Sequence, residues 1–148
     1  KAVAFKEAMT PAFKDYQKKV LENSRRLADE LMRRDFDLVS GGTDNHLMLV
    51  SLIRRKLTGK VLEKALDRAH ITANKNAVPG DPESPMVTSG IRIGTPTVTT
   101  RGMKADDMAK VAEWIDRVAK APEDENTLQA VKKEVMEILK RYPLYPSL

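Results

Sequence analysis

Three prolines and a glycine near the middle of the chain limit what it can fold into. Pro79, Gly80, Pro82 and Pro85 all fall within a stretch that begins at Ala73. Proline lacks a backbone N–H and fixes φ, so neither a helix nor a central strand can run through this stretch. Regular structure must therefore form on either side of a loop over residues 73–90, and a loop this long in a compact domain is usually functional or disordered.

Apolar residues recur at helical spacing on both sides of this loop. The longest predicted helix covers residues 11–34. Val61 is predicted to face the core, and Asn126 or Thr127 is predicted to cap the last helix. The other predicted helices cover residues 1–9, 58–69, 104–119 and 126–141.

Short apolar and β-branched runs predict four strands, over residues 36–40, 46–53 and 90–95 and a short one that starts at 71–72. His46 opens the most apolar of them and is predicted to be a hydrogen-bonded core histidine. Hairpin-like links join the strands, and helices flank them. This order predicts an α+β fold with a small, mostly antiparallel or mixed sheet that helices cover on one face.

The composition argues against several classes of protein. The 148 residues include no cysteine, which excludes disulfides and thiolate zinc sites. His46 and His70 have no neighbouring histidine, so no metal site is predicted. No apolar run reaches about eighteen residues and no signal peptide is recognisable, so we expect no membrane span. The absence of cysteine fits a cytoplasmic protein, which is the location we expect.

The net charge of +5 raises the question of an anionic partner. The basic residues are interleaved with acids, as in Glu63–Lys64 and Asp67–Arg68. Only three Phe, three Tyr and one Trp are present to stack on bases. We therefore expect solvated helix faces and no nucleic-acid partner, while an anionic small molecule stays open.

Arg92 is the first candidate for a binding residue. It lies between Ile91 and Ile93 on a predicted strand, and alternation along a strand places it on the face opposite to both isoleucines. A guanidinium binds a carboxylate through two parallel hydrogen bonds. The alternatives are a structural salt bridge and an exposed arginine on an edge strand.

The loop over residues 73–90 is the second candidate. Asn76, Ser84 and the backbone amides of the loop carry donors and acceptors that suit a polar heterocycle. The alternative is a rigid surface loop without a ligand. Lys75 is a residue type that forms Schiff bases, but nothing around it indicates an activated amine, so we interpret it as an exposed loop lysine.

Four motifs carry a resemblance to a known family: SGGTDNH at 40–46, NKNAVP at 74–79, SP at 84–85 and TSGIRIGTP at 88–96. In this order and spacing they resemble the C-terminal small domain of serine hydroxymethyltransferase, a fold-type I pyridoxal-phosphate enzyme. The resemblance divides the chain into an inter-domain helical segment at 1–34 and the small domain at 35–148. The large cofactor domain lies outside it.

This resemblance implies that the whole enzyme interconverts serine plus tetrahydrofolate with glycine plus 5,10-methylenetetrahydrofolate, using pyridoxal phosphate. It implies a cytoplasmic homo-oligomer such as a homodimer. It also implies that Arg92 binds the amino-acid carboxylate and that Asn76 contacts the pterin ring of folate. Ser84, Pro85 and Met86 align with a folate-binding stretch, although many members have an aromatic residue where Met86 stands.

The family's cofactor lysine lies in a Thr-Thr-Thr-His-Lys segment that this sequence lacks. No catalytic residue is therefore assigned, and we expect the chain alone to be an inactive piece of a longer enzyme. One alternative is a non-catalytic module of the same fold that binds folate or a protein. Another is a different fold-type I enzyme, such as an aminotransferase, but the Asn76 loop has the pattern of folate users.

Overall fold

The computed structural model describes residues 1–144, and helices account for most of its regular structure. The longest, α2 (Pro11–Met32), begins after Thr10, whose hydroxyl accepts a hydrogen bond from the backbone N–H of Phe13 at 3.2 Å. Among residues 1–144 no helix is long and apolar enough to cross a membrane. The other α-helices are α1 (Ala2–Ala8), α3 (Gly59–Arg68), α4 (Pro96–Thr100), α5 (Ala105–Lys120) and α6 (Glu125–Lys140).

Four short strands form one antiparallel sheet. They are β1 (Asp37–Leu38), β2 (Leu47–Ser51), β3 (Asn74–Asn76) and β4 (Gly90–Gly94). They pair in the order β1-β2-β4-β3, so β4 is hydrogen-bonded on both sides. The sheet and its helices confirm the predicted α+β class.

The helices pack on one face of this sheet. Met48, Val50, Ile91 and Ile93 point to that face and are buried in one cluster with apolar residues of α2, α3 and α5. Burial of each such side chain stabilises the fold by about 1.5–3 kcal/mol. Residues that alternate with them point the other way, and we call that other side, which carries Leu47, Leu49, Asn74, Asn76 and Arg92, the open face.

Gly59 allows α3 to approach the start of β4 closely, and Gly90 allows Val78 to pack against the same strand. A Cβ at Gly59 would lie 2.3 Å from the carbonyl oxygen of Gly90, and a Cβ at Gly90 would lie 2.5 Å from Cγ1 of Val78. The backbone N–H of Gly59 donates to the carbonyl oxygen of Thr88 at 2.8 Å. The start of α3 is therefore hydrogen-bonded directly to the segment that precedes β4.

Several predicted boundaries are wrong. No strand forms over residues 71–72, because backbone pairing with β4 begins only at Asn74. A helix that the sequence does not predict, α4, forms at residues 96–100 with Pro96 in its first turn. Asp124 caps α6 in place of Asn126 or Thr127, and its carboxylate accepts the backbone N–H of Thr127 at 3.0 Å.

The inward face of α3 also differs from the prediction at one position. Val61 is 37% exposed, whereas Leu62, Ala65 and Leu66 are buried. The apolar side chains at steps of three and four residues from Leu62 already fill the contact between α3 and the sheet. Val61 therefore lies at the border of this contact, where it is partly exposed to solvent.

Candidate functional site

Arg92 lies in the middle of β4 with its side chain on the open face. Its register partners are Leu49 on β2 and Asn74 on β3, while Ile91 and Ile93 beside it are buried. Arg92 is exposed, and within residues 1–144 its guanidinium has no ion pair or hydrogen bond. Because β4 is an inner strand, the alternative of an edge-strand arginine is wrong. No residue among 1–144 occupies the guanidinium donors of Arg92, which face the open side of the sheet.

A shallow cavity of about 330 Å³ lies beside Arg92. His46 and Asn74 contribute an imidazole and an amide to it, which with the guanidinium suit a small anionic group. The prediction that His46 is a core histidine is wrong. β2 begins one residue after His46, and His46 is exposed where it lines the cavity. The cavity is lined by His46, Leu47, Thr72, Ala73, Asn74, Arg92 and Gly94.

Asn76 lies on the same face as Arg92, two residues beyond Asn74 on β3. It pairs with Gly90 and is half-buried, and its Nδ2 donates to the carbonyl oxygen of Ala77 at 2.8 Å. Asn74 does not stand out in the sequence, because it falls in the predicted loop over residues 73–90, where alternation gives no information. The structure thus brings Arg92, Asn74 and Asn76 to one face.

Ser84, Pro85 and Met86 form an exposed turn beyond the strands. The carbonyl oxygen of Ser84 accepts the backbone N–H groups of Val87 and Thr88, both at 2.9 Å. Met86 is 72% exposed, a large apolar side chain facing water. These three residues share a loop with Asn76 but do not line the cavity beside Arg92.

The carboxylate of Asp81 holds this loop together. Its two oxygens accept hydrogen bonds from the backbone N–H groups of Val78 at 3.1 Å, Glu83 at 2.9 Å and Ser89 at 2.9 Å. Desolvation raises the pKa of Asp81, but these donors outweigh it and lower the pKa from 3.8 to about 2. In the sequence Asp81 is only a turn residue, because its bonds depend on how the loop closes.

Lys75 does not belong to this site. It lies in β3 opposite Ile91, so its side chain points away from the open face, and its backbone N–H donates to Oε1 of Glu63 at 2.8 Å. The interpretation as an exposed loop lysine is wrong, since the residue is half-buried in a strand. The strand residues of the open face include no lysine, and residues 1–144 contain no group of three or more His, Asp or Glu side chains that could hold a metal ion.

The chain is similar to known proteins of one family. A model of the serine hydroxymethyltransferase family matches residues 1–115. Two curated relatives named serine hydroxymethyltransferase, from two strains of Xanthomonas oryzae pv. oryzae, are each 56% identical to this chain over 145 residues. The match covers 98% of this chain and 35% of each relative, so the chain spans about a third of the length of these relatives.

Proposed function

The chain belongs to the serine hydroxymethyltransferase family, and on that premise we propose that it forms the substrate- and folate-binding wall of such an enzyme. The reaction interconverts serine plus tetrahydrofolate with glycine plus 5,10-methylenetetrahydrofolate. The observation that carries the proposal is Arg92, which is exposed on the open face and makes no ion pair among residues 1–144.

Arg92 binds the carboxylate of the amino acid in this account. Its planar guanidinium matches both carboxylate oxygens through parallel N–H···O bonds. A carboxylate held at two points fixes the rotation of the substrate, and that rotation decides which bond to the α-carbon is aligned to break. The burial of Ile91 and Ile93 keeps the backbone of Arg92 in place while this happens.

Asn76 and the turn at residues 84–86 bind tetrahydrofolate in the same account. An amide side chain donates and accepts at once, which suits the mixed donors and acceptors along the edge of a pterin ring. Met86, at 72% exposure, offers a flexible apolar contact to a flat ring. Because Asn76 and this turn belong to the same loop, we expect one ligand to contact both.

Pyridoxal phosphate supplies the electron sink for this chemistry when it is bound. Since the open-face strands offer it no lysine, we place the cofactor and its proton-transfer groups in parts of the enzyme outside this chain. α1 supports this placement, because it has no buried residue and exposes Val3 and Phe5, an apolar surface suited to packing against another part. A cytoplasmic homo-oligomer, such as a homodimer, is the proposed working form.

Turnover tests the proposal. The full-length protein that carries this chain and the 148-residue chain alone are each supplied with serine, tetrahydrofolate and pyridoxal phosphate, and glycine is measured. We expect glycine from the first and none from the second. Glycine formation by the chain alone would contradict the placement of the cofactor lysine. A folded full-length protein that binds tetrahydrofolate without turnover would favour the non-catalytic module.

A further inference from the structure

Asp81 joins the two ends of the loop over residues 77–89. Val78 and Ser89 lie at opposite ends of this loop, yet both backbone N–H groups donate to Oδ2 of Asp81, at 3.1 and 2.9 Å. Oδ1 accepts the N–H of Glu83 at 2.9 Å. Hydrogen bonds to an ionised acceptor are about twice as strong as neutral ones, so three of them from one loop favour a single loop shape.

Both ends of the loop are themselves fixed to the core. Val78 is buried and lies over Gly90, where an added Cβ would meet its Cγ1 at 2.5 Å. Ser89 is buried, and its carbonyl oxygen accepts the backbone N–H of Leu52 at 2.8 Å. Asp81 therefore connects well-anchored backbone to the exposed turn at residues 84–86, which has few core contacts of its own.

We propose that Asp81 is a positioning residue for tetrahydrofolate. It holds the turn at residues 84–86 in a fixed relation to Asn76 without contacting the ligand itself. The inference rests on the proposed function and adds to it a residue that acts only through the loop. Asparagine at this position would set an NH₂ group against at least one of the three N–H donors, so the loop would lose a bond and gain a repulsion.

The experiment compares Asp81→Asn with Glu83→Gln in the full-length enzyme that carries this chain. Glu83 is exposed in the same loop, and only its backbone N–H takes part in the Asp81 contacts. We expect Asp81→Asn to raise KM for tetrahydrofolate about tenfold, because a misplaced binding group weakens the binding of its own ligand. KM for serine and kcat should stay within about twofold of the wild-type values. Deuterium exchange of amides in residues 77–89 should become about tenfold faster, with β4 unchanged.

The outcomes separate this inference from the proposed function. Unchanged amide exchange, or equal increases in KM for serine and tetrahydrofolate, would overturn the positioning role and leave the proposed function intact. Faster exchange with an unchanged KM for tetrahydrofolate would overturn both the positioning role and the folate assignment of the loop. If Asp81→Asn does not fold, Asp81→Glu displaces the carboxylate by one methylene and should show the same selective rise in KM.

Discussion

Asn74 and Arg92 are register partners on β3 and β4, and both side chains are exposed on the open face. Ile91 and Ile93 hold β4 in the core from the other face. The position of Arg92 therefore does not depend on its own side chain. A substitution of Arg92 is therefore expected to weaken ligand binding without lowering the stability of the fold.

Leu62→Ala should destabilise the chain by about 2–5 kcal/mol, the usual cost of removing a large buried side chain and leaving a cavity. Leu62 is fully buried in α3, whereas its neighbour Val61 is 37% exposed. Val61→Ala, the matched control, should cost less than about 1 kcal/mol. Urea denaturation measures both, and equal losses would contradict the observed orientation of α3.

Glu30→Gln should destabilise the chain by about 2 kcal/mol. The buried carboxylate of Glu30 lies 3.0, 2.9 and 2.6 Å from the guanidinium groups of Arg26, Arg33 and Arg34. The loss is smaller than the roughly 3–5 kcal/mol of a fully buried pair, because these arginines reach solvent. Asp29→Asn, at the exposed neighbouring position, should change the free energy of unfolding by less than about 0.5 kcal/mol in the same denaturation experiment.

Glu134 should make the chain sensitive to acid. Desolvation raises its pKa, but hydrogen bonds from Trp114, Arg117 and Lys110 outweigh it and lower the pKa from 4.5 to about 2. A carboxyl whose pKa is lowered by folding adds stability that is fully present above pH 4.5 and is lost as the pH falls towards about 2.

Fluorescence of the single tryptophan reports this contact directly, since Nε1 of Trp114 donates to Glu134 at 2.8 Å. Glu134→Gln should lower stability at neutral pH and make the acid-induced loss of stability less steep. The loss should not disappear, because folding also lowers the pKa of Asp81 from 3.8 to about 2. An unchanged acid profile in Glu134→Gln would show that this contact contributes nothing to stability.

Local periodicity is sufficient to predict the longer helices of the layer over the sheet, α2, α3, α5 and α6, but not the short α4. Val20, Leu27 and Leu31 recur on one face of α2 and are all buried, as their spacing predicts. The cap of α6, Asp124, lies two residues before Asn126 and three before Thr127, and all three are good N-cap residues. Which of the three caps the helix depends on the residue at which the backbone enters the helical conformation, and local sequence does not specify it.

The candidate site could be predicted only in part. Arg92 stands out because a charge between two isoleucines on a strand must lie on the opposite face. Asn74 and His46 do not stand out, since their place beside Arg92 follows from strand register and from where β2 begins. Asp81 does not stand out for a similar reason, because two of its three partners lie three residues before it and eight residues after it.

KM for serine in Arg92→Ala tests the proposed carboxylate-binding role of Arg92. It is measured in the full-length enzyme beside Arg54→Ala, which changes an exposed arginine outside the site. Hydrogen bonds to a charged group are worth about 1.5–3 kcal/mol, so we expect Arg92→Ala to raise KM for serine about 100-fold with an unchanged melting temperature. Arg92→Lys should recover only part of the loss, because an ammonium cannot bind both carboxylate oxygens in the same fork. A KM for serine that is the same in Arg92→Ala, Arg54→Ala and the wild type would contradict the proposed role of Arg92.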